Sequence, residues 1–147
     1  MISRLLQRRS VHRRIILDVE YTFTTNLIYE IDLDGCITFA NQNFCEVTGY
    51  KREELIGKNH KIFKHPDVPE ELYHDLWSTR KRLKQWFSTL KNMRRDGMYF
   101  WSDVHCTVKY DNNSAIVGFI IVHKPTSKLN QEEETERYIN FRSSNKL

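Results

Sequence analysis

The spacing of apolar and polar positions changes period twice along the chain. Over residues 20–32 the β-branched and aromatic content rises through Tyr21, Phe23, Leu27, Ile28, Tyr29 and Ile31, which predicts a strand. Asp34-Gly35 supplies a tight turn, and Cys-Ile-Thr-Phe-Ala at 36–40 returns as the second strand of a hairpin. Asn41 then reads as a helix N-cap, because its side-chain oxygen can accept from the unpaired amides of the next turn. That helix is short, closing at Gly49, a residue suited to the left-handed conformation at a helix end. A second short helix over 52–56 ends at Gly57 in the same way. Asp67 precedes Glu70 by three residues, a capping-box spacing in front of Leu72, Tyr73, Leu76, Trp77 and Leu83, and predicts the longest internal helix over 68–84.

Beyond that helix the period returns to two. Residues 86–93, 98–110 and 115–123 read as strands, the first two joined by the hairpin signal Arg94-Arg-Asp-Gly97. Two strands, a cluster of short helices and three further strands make an α+β order: a five-stranded antiparallel sheet with helices on one face. The expected organisation is a basic helix or arm over 1–19, the core domain over 20–126, and a short C-terminal helix or tail over 127–147. In that tail Glu132, Glu133, Glu134 and Glu136 come early and Arg137 and Arg142 late, which complements a helix dipole.

Composition narrows the function classes. A chain of 147 residues with 39% apolar content, eight Phe, seven Tyr and three Trp fills one core. The net charge of +4 is too modest to imply nucleic acid, and Arg80-Lys-Arg-Leu-Lys84 reads as a solvated helix end. Cys36, Cys45 and Cys106 include no Cys-x-x-Cys pair and are expected to be reduced core residues. No apolar run reaches the roughly twenty residues of a membrane span. Arg4, Arg8, Arg9, Arg13 and Arg14 break up the apolar residues of the N-terminus, so it lacks a secretory signal, and a cytoplasmic protein is expected, with at most weak contact to anionic lipid. There is no Gly-rich phosphate loop, nucleophile elbow or His-Glu-x-x-His run, so an enzyme is not expected.

The helix cluster brings polar side chains (Asn41, Asn43, His60, His65, Asp67) near large aromatics (Phe44, Phe63, Tyr73, Trp77). A planar ligand needs both, rings for contact area and polar groups for its edge. The run Asp32-Leu-Asp-Gly-Cys-Ile-Thr-Phe-Ala-Asn-Gln-Asn-Phe-Cys-Glu-Val-Thr-Gly-Tyr50, followed by Lys-Arg-Glu-Glu-Leu-Ile-Gly57, resembles a PAS sensor domain, a resemblance extending over about residues 21–124. Within it, His60-Lys-Ile-Phe-Lys-His-Pro-Asp-Val-Pro69 with Asp75-Leu-Trp77 is similar to the flavin-binding PAS domains of bacterial aerotaxis and energy-taxis receptors. Leu90-Lys-Asn-Met-Arg-Arg-Asp-Gly97 resembles that family's Lys-Asn-Arg-Arg-x-Gly run.

The resemblance implies a redox sensor that binds FAD through Asn41, His60, Lys64, His65, Asp67, Trp77 and Asn92. Lys64 stands where the family pattern usually has Arg, so the charge is kept and the planar fork is lost. It also implies signalling in trans to a membrane-bound chemoreceptor that carries HAMP and signalling domains, which would hold the protein at the inner face of the membrane. The arginine-rich arm and the acidic terminal helix are the expected contacts, and a homodimer through the PAS domain or the N-terminal helix is a further expectation. On reduction the flavin edge would exchange an acceptor for a donor facing Asn92 or a neighbouring amide, and that amide would rotate or its strand would shift. Two alternatives stay open. Haem could take an axial nitrogen from His60, His65, His74 or His105, and a cofactor-free interaction module needs no ligand. With no thiol in Lys58-Asn-His-Lys-Ile-Phe63, a cysteinyl photoadduct is not expected.

Overall fold

A computed structural model of the chain describes residues 14–83 and 85–145. Its strands are β1 (Leu27–Asp32), β2 (Ile37–Ala40), β3 (Gln85–Met93), β4 (Tyr99–Tyr110) and β5 (Ile116–Lys124). They form one five-stranded sheet in the order β2-β1-β5-β4-β3, every neighbour antiparallel. Between β2 and β3 lie α1 (Gln42–Thr48), α2 (Arg52–Leu55), a 3-10 turn (His60–Phe63) and α3 (Glu70–Leu83), and α4 (Lys128–Asn145) follows β5. The α+β arrangement is the one the alternation predicts. The pairing of β1 with β5, from Leu27 opposite His123 to Asp32 opposite Gly118, joins the first hairpin to the last three strands.

Local chemistry explains the first elements. Leu27, Tyr29 and Ile31 are buried at period two along β1. The Asp32 carboxylate accepts from the amides of Asp34 and Cys36, each at 2.9 Å, and so fixes the hairpin turn. Asn41 caps α1, its oxygen accepting from Phe44 N at 2.9 Å, and Gly49 closes it at φ 81°. Phe44 is thereby fully buried, with its ring edge-on to Phe63 at 4.9 Å and tilted against Tyr29 at 4.6 Å.

The stretch from α2 to α3 crosses the inner face of the sheet and is fastened to both of its edges. On the β2 side Gly57 N donates to Ile37 O, Ile37 N to Lys58 O and His60 N to Gly35 O. On the β3 side Lys64 forms a main-chain bridge with Asn92. The 3-10 turn was not foreseen from the sequence; Asn59 caps it by accepting from Lys61 N at 3.0 Å.

Several expectations need correction. The first strand begins at Leu27, not at residue 20. β5 ends opposite Asp103, which leaves the β5 side of Tyr99 open, and residues 19–21 fill it: Tyr99 N donates to Val19 O and Tyr21 N to Tyr99 O. Of the expected basic helix or arm over 1–19, residues 1–13 lie outside the described residues, and residues 14–19 are an extended strap. Leu17 N donates to Gly97 O, and the Arg14 guanidinium donates to Tyr50 OH at 2.9 Å and to the carbonyls of Arg94 and Ile62.

The capping box of Asp67 and Glu70 does not form. α3 starts at Glu70, while the Asp67 carboxylate accepts from Lys91 Nζ at 2.7 Å and that of Glu70 lies 3.1 Å from Lys64 Nζ. Hydrogen bonds between opposite charges outweigh an amide cap. The C-terminal helix is long rather than short, at 18 residues. Ser127 Oγ caps it by accepting from Asn130 N, Tyr138 stacks on Trp101 at 6.0 Å, and Arg142 donates to Pro66 O at 2.7 Å.

Two glycines test the strap. A Cβ on Gly97 (φ +92°) would lie 1.7 Å from Ile15 O, whereas one on Gly57 (φ +87°) meets nothing within 4 Å. Gly57→Ala is expected to cost about 1–2 kcal/mol, the left-handed backbone penalty alone. Gly97→Ala must also displace the strap and is expected to cost about 3 kcal/mol or more in urea unfolding. Trypsin is expected to cut after Arg14 faster in Gly97→Ala only.

Candidate ligand cavity

Beneath the crossing stretch the inner sheet face and α3 enclose a cavity of about 10 Å³, bounded by Tyr29, Phe63 and Leu90 and by the polar side chains of Lys64, Asn92 and His123. It has room for about one water molecule. Outside it, a cleft of about 290 Å³ opens between Gly35, the start of the 3-10 turn with Lys61, and the outer side of α3. His60, Tyr73 and Trp77 line both spaces and form the wall between them. Trp77 meets His60 edge-on at 4.2 Å and Trp86 edge-on at 4.8 Å, with Tyr73 at 6.0 Å.

A chain of buried polar groups crosses three strands at the floor of this cavity. Asn92 Nδ2 on β3 shares its two hydrogens among Leu90 O at 3.1 Å, Phe100 O at 3.1 Å and Ser102 Oγ, the shortest contact, at 2.8 Å. Ser102 on β4 is fully buried, and its Oγ lies 2.6 Å from Nδ1 of His123 on β5. An amide nitrogen only donates, so Ser102 Oγ accepts from Asn92, and His123 Nδ1 is the acceptor that the described contacts offer the Ser102 hydroxyl hydrogen; with that bond made, the neutral imidazole carries its proton on Nε2. That Nε2 is buried without a hydrogen-bond partner. Complete burial holds the His123 pKa down at about 3, so the ring is neutral at physiological pH. Turning the Asn92 amide would set its oxygen against the carbonyl oxygens of Leu90 and Phe100 and draw the Ser102 hydrogen away from His123. The rotation expected of Asn92 therefore meets a barrier of its own hydrogen bonds.

The fold is reflected in comparison with known proteins. The family profile described as PAS fold matches residues 37–123. The chain belongs to the PAS family. Over 77 residues, 52% of this chain and 15% of the relative, the PAS domain is 39% identical to the aerotaxis receptor of Escherichia coli. It is 34% identical over 96 residues to the nitrogen fixation regulatory protein of Klebsiella pneumoniae, covering 65% of this chain and 19% of that one. A crystal structure of a PAS domain from Colwellia psychrerythraea superposes with a TM-score of 0.62 at 22% identity, covering 84% of this chain and 98% of that one. A light-oxygen-voltage domain studied with a flavin analogue gives 0.62 at 18% identity, covering 97% and 96%. Those two likenesses show the fold. The chain thus spans less than a fifth of the length of the curated relatives named here. It is a PAS signal-sensing domain, and PAS sensory domains are in general signalling modules rather than catalysts. No helix among the described residues is long and apolar enough to cross a membrane.

The PAS domain divides the residues singled out in the sequence into three groups. His60, Lys64, Trp77 and Asn92 line the cavity. Asn41 is spent on structure: besides capping α1 its oxygen accepts from Ile28 N at 3.2 Å. His65 and Asp67 gather at Lys91 beside β3. There His65 Nδ1 accepts from Asp67 N at 3.0 Å, and burial, with Lys91 nearby, lowers the His65 pKa to about 4. Burial pushes Asp67 up, but the hydrogen bond and charge of Lys91 outweigh it and hold the carboxyl below its ordinary value. Lys91 Nζ also sits 4.2 Å over the Tyr99 ring.

The sequence reading missed Tyr29, Ser102 and His123. A signal for the last two existed. Phe119, Ile121 and His123 share one face of β5, and Phe100, Ser102, Val104 and Cys106 one face of β4, so each polar residue occupies an apolar register position.

The two buried histidines set a pH dependence. Their folded values, about 4 for His65 and about 3 for His123, lie below the ordinary 6.5, so the unfolded chain takes up protons first as pH falls. Stability is therefore full above 6.5 and declines below it. Between about pH 7 and about pH 5 each histidine is expected to remove about 2 kcal/mol. Urea midpoints across that range check it: His65→Gln and His123→Gln should each flatten the slope, and an unchanged slope in both contradicts the burial of neutral rings.

Proposed function

We propose that this PAS domain is a redox sensor that binds a flavin, FAD on its likeness to the aerotaxis receptor, in the cavity under the 3-10 turn. The observation that carries this reading is the buried, unpartnered Nε2–H of His123 beside the Asn92 amide. A native buried donor without an acceptor calls for a partner. A donor next to an amide oxygen is what the edge of a nitrogenous ring requires. A flavin supplies a redox-active ring whose edge nitrogens change between accepting and donating hydrogen bonds.

Under this reading Asn92 and His123 hold the ring edge, and Tyr29, Phe63 and Trp77 give it apolar contact. His60, Tyr73 and Trp77 are the movable wall. Ligand pockets measure roughly 300–1,000 Å³, so binding has to push this wall toward the cleft outside. Lys61, in that cleft, and Lys64, now paired with Glu70, supply positive charge for a phosphate-bearing tail. Asn41 contributes by fixing α1, and His65 and Asp67 by fixing the end of the crossing stretch on Lys91. The signal would pass to a chemoreceptor-type partner, a reading supported by the 39% identity to the aerotaxis receptor.

A second reading, an interaction module without a cofactor, is favoured by the nearly closed interior of about 10 Å³. An absorption spectrum of the purified protein, before and after incubation with FAD and then reduced, separates the two. A structured blue-region band that bleaches on reduction, with FAD released on heating, is the expected result. A colourless protein that stays empty supports the interaction module, and a Soret band moves the case to haem and to the histidines. Lys64→Glu is expected to weaken FAD about tenfold, equivalent to about 1.4 kcal/mol, and to leave riboflavin affinity unchanged.

A further inference from the structure

We propose that the sensing element of the cavity is the His123 imidazole with the Ser102 hydroxyl, and that it reads a ligand by reversing its tautomer. This rests on the ligand-binding reading above. Asn92 Nδ2 donates to Ser102 Oγ, and His123 Nδ1, 2.6 Å from that oxygen, is the acceptor the described contacts offer the Ser102 hydroxyl hydrogen, which sets the direction of the chain in the ligand-free domain. The main-chain carbonyls of Leu90 and Phe100 hold the amide that starts the chain. As long as that direction stands, the cavity receives a donor from Nε2, so the site selects a ring edge with an acceptor at that point.

When the facing ligand atom becomes a donor, Nε2–H would oppose another hydrogen. The imidazole relieves the conflict at the ligand edge by passing it to Ser102. The N–H bond at Nε2 is lost and one at Nδ1 is formed by exchange with solvent, so the ring keeps one proton and stays neutral. Nε2 then accepts from the ligand, and Nδ1 donates to Ser102 Oγ. The Ser102 hydroxyl hydrogen then turns away from Nδ1, which carries the change onto β4. The proton that turns the ligand atom into a donor comes from solvent with the two electrons of a chemical reductant such as dithionite. Asn92 stays in place throughout. It acts as a positioning residue, and the response lies one hydrogen bond further along.

Nitrogen-15 NMR of the imidazoles in the whole, ligand-free chain tests the fixed tautomer without any flavin. His123, assigned by the signal lost in His123→Gln, is expected to carry its proton on Nε2 in the wild type and to populate both tautomers in Ser102→Ala. A wild-type ring protonated on Nδ1, or Ser102→Ala identical to wild type, overturns the proposal. In the FAD-loaded chain, dithionite is expected to move the proton to Nδ1, and an unmoved proton overturns the switch. His123→Leu, checked for folding by circular dichroism, is expected to bind FAD about tenfold more weakly, with His123→Gln restoring most of it. Undiminished affinity in a folded His123→Leu protein overturns the donor role. Failure of FAD to bind at all would defeat the flavin reading, while the ligand-free spectra would still decide the tautomer.

Discussion

The stretch between α2 and α3 is fastened by main-chain hydrogen bonds to both edges of the sheet, at Ile37 on β2 and at Asn92 on β3. A peptide group tied at both ends of such a span cannot approach the sheet more closely without breaking those bonds. The space beneath it is therefore defined by backbone, and side chains only decide how it is filled. Tyr29 and Phe63 fill part of it with ring contacts at 5.8 Å, an arrangement worth on the order of 1 kcal/mol per pair beyond burial. What they leave is small and is bordered by polar atoms of Asn92 and His123.

The polar chain across β3, β4 and β5 belongs to the same constraint. Buried hydroxyl and imidazole groups are costly when unpaired and add roughly 1 kcal/mol each when paired. Here the Asn92 nitrogen, the Ser102 hydroxyl and His123 Nδ1 pair inside the sheet, while His123 Nε2 is buried without a partner on a ring that borders the space the crossing stretch holds open. An apolar residue at position 123 would pack there at lower cost. A histidine in that position is thus a specific feature of this domain's interior, and it places the least satisfied polar atom of the network where a ligand edge would meet it.

The two ends of the described chain brace the stretch from outside. Arg14 reaches the Ile62 carbonyl within the 3-10 turn, and Arg94, with its guanidinium 3.9 Å over the Tyr21 ring, holds the strap on the hairpin. On the other side Arg142 of α4 reaches the Pro66 carbonyl, next to His65 and Asp67. A displacement of the stretch by a ligand would be felt by the strap and by α4 together, since each grips its main chain directly.

The sequence by itself determined the element order, the hairpins and the cap of α1, because these depend on neighbours a few residues apart: Asp32 with Cys36, Asn41 with Phe44, Gly49 with Cys45. It also carried the family likeness and four of the residues that line the cavity, His60, Lys64 and Trp77 through the motif that starts at His60 and Asn92 through the run from Leu90 to Gly97. Tertiary structure decided everything that depends on a partner far along the chain. Asp67 had the spacing of a cap, yet Lys91, 24 residues away, takes its carboxylate because a charge-assisted bond is stronger than an amide one. Glu20 and Tyr21 had the composition of a strand, yet among the described residues they pair with the sheet only at the short open edge of Tyr99. His123 and Ser102 meet only because β4 and β5 pair in register, 21 residues apart in sequence and 2.6 Å apart in space. Periodicity marks which face a residue takes, but only the sheet brings two such faces together.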